Sequence, residues 1–443
     1  MAASPPLSLT QAALAFTRSQ GAATAADIRA RLGVSQPTVS RALAPLIRSA
    51  EILKVGAARS QMYIVPRHVE RVGTEVPVTR IDAAGNPGPF GRIVPLQGGR
   101  CWMDEQEGRS ALHDGLPWFL SDMRPQGFMG RAFAQGYPEL GLPANPEHWN
   151  DDDVLQALAL CGEDLPGNLV VGAESFRRFH AIAARAVPRV SAADYPAMAE
   201  GAMQGTLPGS SAGGEQPKFC TVRNGRQVIV KFSTAGTSAV DRRSRDLLVC
   251  EHLALRTLAD AGVAAASTRI FIEAGRVFLE VERFDRTAQG RIGMVSLMAY
   301  DAQYVGKIDN WAATANRMAS RGLLRADDAA RLRFLEAFGR LIGNTDRHYG
   351  NISLLIEGDD WRLAPAYDVL PTLYAATSGE LPPRDLAATG LAPSIETLPE
   401  WPRARQLAVV FWQTVAADER ISASFRATAR QNARLLLEGM PGA

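Results

Sequence analysis

The sequence predicts a mixed α+β chain in which a small N-terminal helical unit precedes two larger lobes. Three observations carry this prediction. Two short helix patterns stand near the N-terminus, a lysine-bearing strand followed by an amphipathic helix lies near the middle, and apolar residues at helical spacing dominate the C-terminal third. A chain of 443 residues, 46% of them hydrophobic, can bury more than one core. We therefore expect three units, at residues 1–66, 67–290 and 291–443.

The first unit is typical of a winged helix-turn-helix. Residues 24–32 predict one helix, a turn follows at Gly33, and residues 35–43 predict a second helix with Pro37 in its first turn. Residues 51–65 then predict a two-stranded wing. In this arrangement the second helix lies in the major groove of DNA. Its expected DNA-contacting residues are Gln36, Thr38, Ser40 and Arg41.

The charge of this unit supports a nucleic-acid partner. Over residues 1–66 seven Lys and Arg side chains face only Asp27 and Glu51, although the net charge of the whole chain is just +2. Neutralisation of phosphates by such cations drives non-specific DNA affinity. The alternative interpretation is that the unit mediates protein contacts only.

The second unit is expected to be rich in β-structure. Residues 78–82 and 90–94 predict strands on either side of a turn, and a later buried strand ends at Lys231. A helix over roughly residues 242–261 follows, and Glu251 falls on its apolar face. Because a buried carboxylate needs a partner, we expect an ion pair with Lys231 that helps to hold phosphates. Alternatively, the lysine reaches solvent and the glutamate sits at the edge of the face.

The third unit carries the most informative pattern. Asp346 and Asn351 lie five residues apart in a Gly-containing loop, and a short hairpin then returns the chain to Asp368. In a phosphoryl-transfer site one Asp accepts the proton of the attacking hydroxyl, while an Asn and a second Asp bind Mg²⁺. We expect Asp346, Asn351 and Asp368 to fill these roles in that order. The alternative is that they serve only turn chemistry.

Five motifs in order resemble the HipA-family serine/threonine kinase toxins, from about residue 78 to the C-terminus. They are the Ser-x-Ala-Gly loop at residues 210–213, the strand lysine Lys231, the Glu-Arg-Phe-Asp-Arg hinge at residues 282–286, the catalytic loop at residues 345–351 and the metal motif at residues 365–369. The resemblance implies a bilobal protein-kinase-like, HipA-like fold behind the winged helix-turn-helix. Residues 293–301 depart from the family's usual pattern.

The resemblance also implies ATP and Mg²⁺ as cofactors and a protein Ser or Thr as the phosphate acceptor. Asp346 would be the catalytic residue, Asn351 and Asp368 the metal ligands, and Ser210 an autophosphorylation site, whose phosphate would expel the loop. The residues expected to contact ATP are Ser211, Ala212, Gly213, Gly214, Glu215, Gln216, Lys231, Glu282, Arg283, Phe284, His348, Asn351 and Asp368.

These features together predict a growth-inhibiting, toxin-type kinase with its own DNA-binding unit, which suggests autoregulation at its promoter and an antitoxin as a further partner. Two functions of other classes remain open. One is a transcriptional regulator whose kinase-like half only senses a nucleotide, and the other is a small-molecule kinase with the same Asp-x-x-x-x-Asn loop.

The remaining composition predicts a cytoplasmic protein. The four cysteines are dispersed without metal-ligand spacing, as expected of free thiols in a reducing compartment. No apolar run approaches the length of a membrane span, and residues 1–6 lack the features of an export signal. We therefore expect no membrane partner.

Overall fold

The computed structural model describes residues 7–56, 61–107, 109–183, 190–204, 215–358 and 360–438. These residues form thirteen α-helices and fifteen β-strands, and the strands form four antiparallel sheets. Within the described ranges, each helix is too short or too polar to cross a membrane.

The N-terminal part packs three helices on a small sheet. Its elements are α1 (Leu9–Gln20), β1 (Ala22–Ala23), α2 (Ala25–Leu32), α3 (Gln36–Arg48), β2 (Leu53–Val55) and β3 (Met62–Ile64), with the strand order β1-β3-β2. Thr24 caps α2 in a reciprocal box with Asp27, and Gly33 ends it at φ +64°. Ser35 occupies the N-cap position of α3, but its hydroxyl bonds to the hydroxyl of Thr38 instead of a backbone N–H.

A five-stranded sheet follows, with the order β7-β6-β5-β4-β8. Its strands are β4 (Val76–Ile81), β5 (Pro87–Pro95), β6 (Arg100–Glu105), β7 (Ser110–Asp114) and β8 (Leu169–Val171), and α4 (Gly127–Gly136), α5 (Asp151–Cys161) and α6 (Ala173–Ala183) lie between or after them. Val94 and Trp102 of this sheet share a buried cluster with Val55 and Ile64 of the N-terminal sheet. The two sheets are therefore joined by apolar burial.

The next sheet carries the predicted lysine strand. Its elements are α7 (Tyr195–Met203), β9 (Lys218–Arg223), β10 (Arg226–Phe232), α8 (Ala239–Asp260), β11 (Thr268–Glu273) and β12 (Arg276–Glu282), with the strand order β11-β12-β10-β9. On one face Val230 and Phe232 pack around Tyr195. On the other face Leu279 and Val281 belong to the core that includes α8.

The C-terminal part is mostly helical, as the apolar spacing predicts. Its elements are β13 (Met294–Ser296), α9 (Leu297–Tyr304), α10 (Trp311–Ser320), α11 (Ala326–Leu341), β14 (Ser353–Glu357), β15 (Asp360–Leu363), α12 (Trp401–Ala417) and α13 (Ala423–Glu438). The largest core cluster runs from α8 through β12 to α13. One continuous core thus joins this part to the sheet with the lysine strand.

The stretch 67–290 is less dominated by strands than we expected. It contains two sheets and, in addition, the five helices α4 to α8. Helix α8 is the longest of them and covers one face of the second sheet. Helix α8 corresponds to the helix predicted over roughly residues 242–261, whereas α4 to α7 were not predicted from the sequence.

Candidate active site

A lysine held between two carboxylates lies where the two lobes meet. Lys231 Nζ donates to Glu251 Oε1 at 2.7 Å and also contacts Asp368 Oδ1. Lys231 is 8% exposed and Glu251 is 1% exposed. Strand β10 and helix α8 contribute the first pair, and the C-terminal lobe contributes Asp368. Breaking an ion pair enclosed in this way is strongly unfavourable, because it would leave a buried charge without its counterion.

Asp368 is held in an unusual backbone conformation. Its φ is +53°, in the left-handed region that side chains other than glycine seldom adopt. The preceding residue fixes its position, because Tyr367 Oη donates to the Gly350 carbonyl at 3.0 Å and bonds to Ser353 Oγ at 2.7 Å. Strain of this kind concentrates at functional sites. Tyr367 thus ties the predicted metal motif to the predicted catalytic loop.

Asp346 and Asn351 face each other across the catalytic loop. Asn351 Nδ2 donates to the Asp346 carbonyl at 2.9 Å and to Asp346 Oδ2 at 3.3 Å. The side chain of Asp346 is 59% exposed, so its carboxylate is open to solvent. His348 Nε2 lies 3.7 Å from Asp346 Oδ1. The loop therefore presents one accessible carboxylate beside a buried amide.

The loop depends on supports that we did not predict from the sequence. Asn344 is 1% exposed, and its Oδ1 accepts the backbone N–H of Asp346 at 3.0 Å. Thr372 Oγ1 accepts the backbone N–H of Thr345 at 2.7 Å. An Asn two residues before an Asp is a sequence signal for such a turn. The contribution of Thr372 has no local signal, because 27 residues separate it from its partner.

A second buried lysine stands beside the first. Lys218 pairs across the β9–β10 ladder with Lys231, and it is 4% exposed. Burial, reinforced by the charge of Lys231, lowers the pKa of Lys218 to about 8. The sequence motifs alone assign no role to Lys218. The pairing of β9 with β10, which brings it to the site, depends on strand register.

The side chains of Glu282 and Arg283 in the hinge bond to other protein groups. Glu282 Oε2 accepts from exposed Arg226 at 2.7 Å, and the guanidinium of Arg283 turns into a buried network. Their backbone N–H groups already donate to the carbonyls of Ser267 and Gln227, respectively. The ring of Phe284 packs on Tyr367 with centroids 5.4 Å apart. The hinge therefore contacts the metal motif directly through Phe284.

The buried network at the hinge links it to the region before α6. Arg283 and Arg286 both bond to Asp285 and to Asp164, with distances of 2.7–3.1 Å. Burial opposes ionisation of Asp285, but the two guanidinium groups outweigh this effect and hold its pKa below its usual range. The backbone N–H of Gly167 also donates to Asp285. The Glu-Arg-Phe-Asp-Arg motif thus has a structural function here.

The segment 210–216, which begins with the Ser-x-Ala-Gly loop, is only partly within the described structure. Ser210, Ser211, Ala212, Gly213 and Gly214 lie outside the described residues. Glu215, which follows them, forms a bidentate ion pair with Arg131 of α4, with a shortest distance of 2.6 Å. Gln216 Nε2 donates to the Phe232 carbonyl at 2.8 Å. Both described residues thus anchor the C-terminal end of the loop.

The predicted DNA-contacting residues lie on the outer side of α3. Val39, Leu43 and Leu46 of this helix are buried. The opposite side carries the predicted contacts, which are exposed except for half-buried Thr38: Gln36, Thr38, Ser40 and Arg41.

The oxygen donors at the site fit a magnesium ion. Because Asn351 uses its Nδ2 to bond Asp346, its Oδ1 is left as an acceptor, and Asp368 adds a carboxylate. Mg²⁺ prefers oxygen ligands and binds through one or two carboxylates together with substrate phosphates. In the described part of the chain, no group of three or more His, Cys, Asp and Glu side chains forms a metal site. A metal held by Asn351 and Asp368 would complete its coordination with further oxygen ligands.

Two family models match successive parts of the chain and show the class of the protein. Residues 72–180 match the YjjJ-like toxin, middle domain, and residues 210–434 match the HipA-like C-terminal domain. The chain belongs to the HipA-like family. Within it, the chain is similar to Toxin YjjJ of Escherichia coli strain K12, with 35% identity over 424 residues that cover 93% of this chain and 94% of the relative.

The chain is also similar to two solved structures at low identity. One is the Shewanella oneidensis MR-1 toxin HipA in its complex with HipB and operator DNA, at 16% identity and a TM-score of 0.47, covering 81% of this chain and 96% of that one. The other is the Helicobacter pylori proinflammatory kinase CtkA, at 14% identity and a TM-score of 0.38, covering 52% of this chain and 91% of that one.

Proposed function

We propose that the protein transfers the γ-phosphoryl group of ATP, with Mg²⁺, to a Ser or Thr hydroxyl of another protein. The observation that carries this proposal is the position of Lys231, which bonds to Glu251 and contacts Asp368 of the facing lobe. A lysine fixed by a helix glutamate and aimed at a metal-binding aspartate is the arrangement that orients phosphates in kinases.

Each residue of the site would have one task. Lys231 would bind phosphate oxygens, and Asn351 and Asp368 would hold the metal through their oxygens. The metal would neutralise charge on the phosphates. Asp346, whose exposed carboxylate is oriented by Asn351, would accept the proton of the acceptor hydroxyl. Phe284 would bring its backbone N–H to the base, because the N–H groups of Glu282 and Arg283 are already bonded.

Labelled ATP tests this reaction in a cell extract. We expect label on protein with the natural chain and loss of transfer with Asp346→Asn, while ATP binding persists. Asp360→Asn makes the same chemical change at an exposed position in the β14–β15 hairpin and should leave transfer unchanged. Label that persists in Asp346→Asn would refute the role of Asp346. Binding of ATP without any transfer would favour a nucleotide sensor, and transfer only to small hydroxyl compounds would favour a small-molecule kinase.

We further propose that phosphorylation by this site inhibits growth and that Ser210 receives phosphate from the same site. Toxin YjjJ, the relative at 35% identity, supports the first part. Phosphate on Ser210 would add negative charge next to a loop proposed to hold phosphates, which disfavours nucleotide binding. Mass spectrometry after incubation with ATP should show phosphate at residue 210 in the natural chain and in Asp360→Asn, but not in Asp346→Asn.

The N-terminal part is proposed to be a winged helix-turn-helix that binds DNA. Its three helices, its small sheet and the outward position of Gln36, Ser40 and Arg41 support this proposal. Arg41→Ala should weaken binding to DNA upstream of the gene, whereas Arg430→Ala, at an exposed position of α13, should not. Equal affinity of Arg41→Ala and the natural chain at several salt concentrations would contradict the proposal. We also propose that this protein binds an antitoxin.

A further inference from the structure

A cavity of about 410 Å³ lies between the sheet that carries Lys231 and helix α6. One side is formed by Cys220, Val222 and Gln227 of strands β9 and β10, and the other side includes Arg178 and Ile182 of α6. Small-molecule sites in proteins have volumes of about 300–1,000 Å³. The cavity is therefore large enough for a ligand and joins two parts of the chain that match different family models.

The cavity continues the site along the same face of the sheet. Alternate residues of a strand point to one face, so Lys218, Cys220 and Val222 share a face of β9. In the ladder Lys218 lies opposite Lys231, and Val222 lies opposite Gln227. Lys231 lies four positions further along the strand than Gln227, a distance of about 13 Å at about 3.3 Å per residue. A molecule with phosphates at the lysines would thus reach the cavity with its other end.

The charged side chains that line the cavity are paired with groups of opposite charge, so the cavity favours an uncharged ligand group. Arg178 is neutralised by Glu163 at 2.8 Å, and Arg283 is neutralised by Asp285 at 3.1 Å. Because these guanidinium groups already have carboxylate partners, a phosphate in the cavity would have to compete with them. Gln227 adds an amide, and Val222 adds an apolar surface. A planar heteroaromatic ring with hydrogen-bonding edges matches this lining better than an anion.

We propose that α6 forms one wall of the base-binding part of the nucleotide site, so that base selectivity is set partly by Arg178, Ala181 and Ile182. This inference rests on the proposed function, since it requires that the phosphates of a nucleoside triphosphate lie at Lys231 and Lys218. Helix α6 would then contribute to specificity although it lies outside residues 210–434, the part of the chain that matches the HipA-like C-terminal domain.

A cavity-filling substitution tests the inference. Ala181 lines the cavity, while His180, the preceding residue of α6, lies outside the lining. Ala181→Phe should weaken ATP binding by about tenfold or more, because the new ring occupies the space of the base, and should leave the binding of tripolyphosphate unchanged. His180→Phe introduces the same side chain next to it and should change neither affinity.

The outcomes separate the inference from the proposed function. If the natural chain binds ATP and Ala181→Phe binds it equally well, the inference fails and the proposed function stands. If the natural chain binds no ATP, both fail. If Ala181→Phe loses ATP and tripolyphosphate together, the substitution has damaged the phosphate end, and the proposed wall is refuted.

Cysteine alkylation gives a second test without a substitution. Cys220 is half-buried, whereas Cys101, Cys161 and Cys250 are buried. Burial raises the pKa of Cys101 to about 12 and that of Cys161 to about 11, which leaves little thiolate on them at neutral pH. Because Cys220 lines the cavity proposed for the base, bound ATP should cover its thiol and slow its alkylation. Tripolyphosphate has no base and should not slow it. Equal rates of alkylation at Cys220 with ATP, with tripolyphosphate and with neither would overturn the inference.

Discussion

Replacement of Lys218 by Met should stabilise the protein and weaken the binding of ATP. Lys218 is 4% exposed and lies opposite Lys231, so the fold must keep two cations side by side in a nearly enclosed space. Burial and the neighbouring charge lower its pKa from 10.5 to about 8. Met is similar in length and carries no charge, so it removes the electrostatic penalty while it fills most of the volume.

The size of the effect follows from the pKa difference. One pKa unit corresponds to about 1.4 kcal/mol, so a shift from 10.5 to about 8 corresponds to about 3 kcal/mol. The folded pKa lies below the unfolded pKa, so the unfolded chain binds more protons between them and the stability of the natural protein rises with pH in that range. The penalty is present in full below pH 8 and is largely lost by about pH 10. The stabilisation by Lys218→Met should shrink accordingly, from about 3 kcal/mol at pH 7 to about 1 kcal/mol at pH 10.

Urea unfolding at these two pH values measures the effect. Lys307→Met is the matched control, because Lys307 is exposed and its replacement should change the free energy of unfolding little at either pH. A Lys218→Met variant that is less stable than the natural chain at pH 7, or equally shifted at both pH values, would refute the argument. The same variant should bind ATP more weakly, since phosphates would then meet one buried cation fewer.

Three further predictions concern stability. Asp285→Asn should lower the free energy of unfolding by about 3–5 kcal/mol, measured by urea denaturation, because it leaves buried Arg283 and Arg286 without one of their carboxylates. Trp118→Ala should lower it by about 2 kcal/mol in the same assay, less than a fully buried Trp would, because the ring is half-buried against the C-terminal lobe. Ser238→Ala should lower the melting temperature and cost about 1 kcal/mol, because Ser238 caps the long helix α8.

The sequence predicted the parts of the site that have local signals. A strand ending in Lys231 and an apolar helix face carrying Glu251 predict an ion pair, and the structure places the two groups 2.7 Å apart. The sequence also predicted that Asp346 and Asn351 lie close together, because a short loop restricts where the second side chain can lie. These placements follow from periodicity and loop length, both of which act over a few residues.

The parts that the sequence did not predict depend on contacts between distant segments. Lys218 reaches the site through strand register, and the short strand β1 forms only because it pairs with β3. Asp122 accepts the backbone N–H of Ser296, 174 residues further along the chain. Such contacts depend on tertiary packing, which leaves no periodic trace in either segment.

The region 72–180 supports both lobes, and this arrangement limits how the cleft can move. Trp118 packs on Tyr304 of the C-terminal lobe with ring centroids 5.3 Å apart, while Arg131 holds Glu215 beside the lysine strand. Clefts of this kind usually close by rotation at the hinge. Here rotation would break the contacts of Arg283 and Arg286 with Asp164, which would leave two buried guanidinium groups with one carboxylate fewer. A hinge fixed in this way keeps the two lobes in register. This would preorganise the residues proposed to react, and selection of the proposed substrate would then depend on shape at the cleft more than on closure.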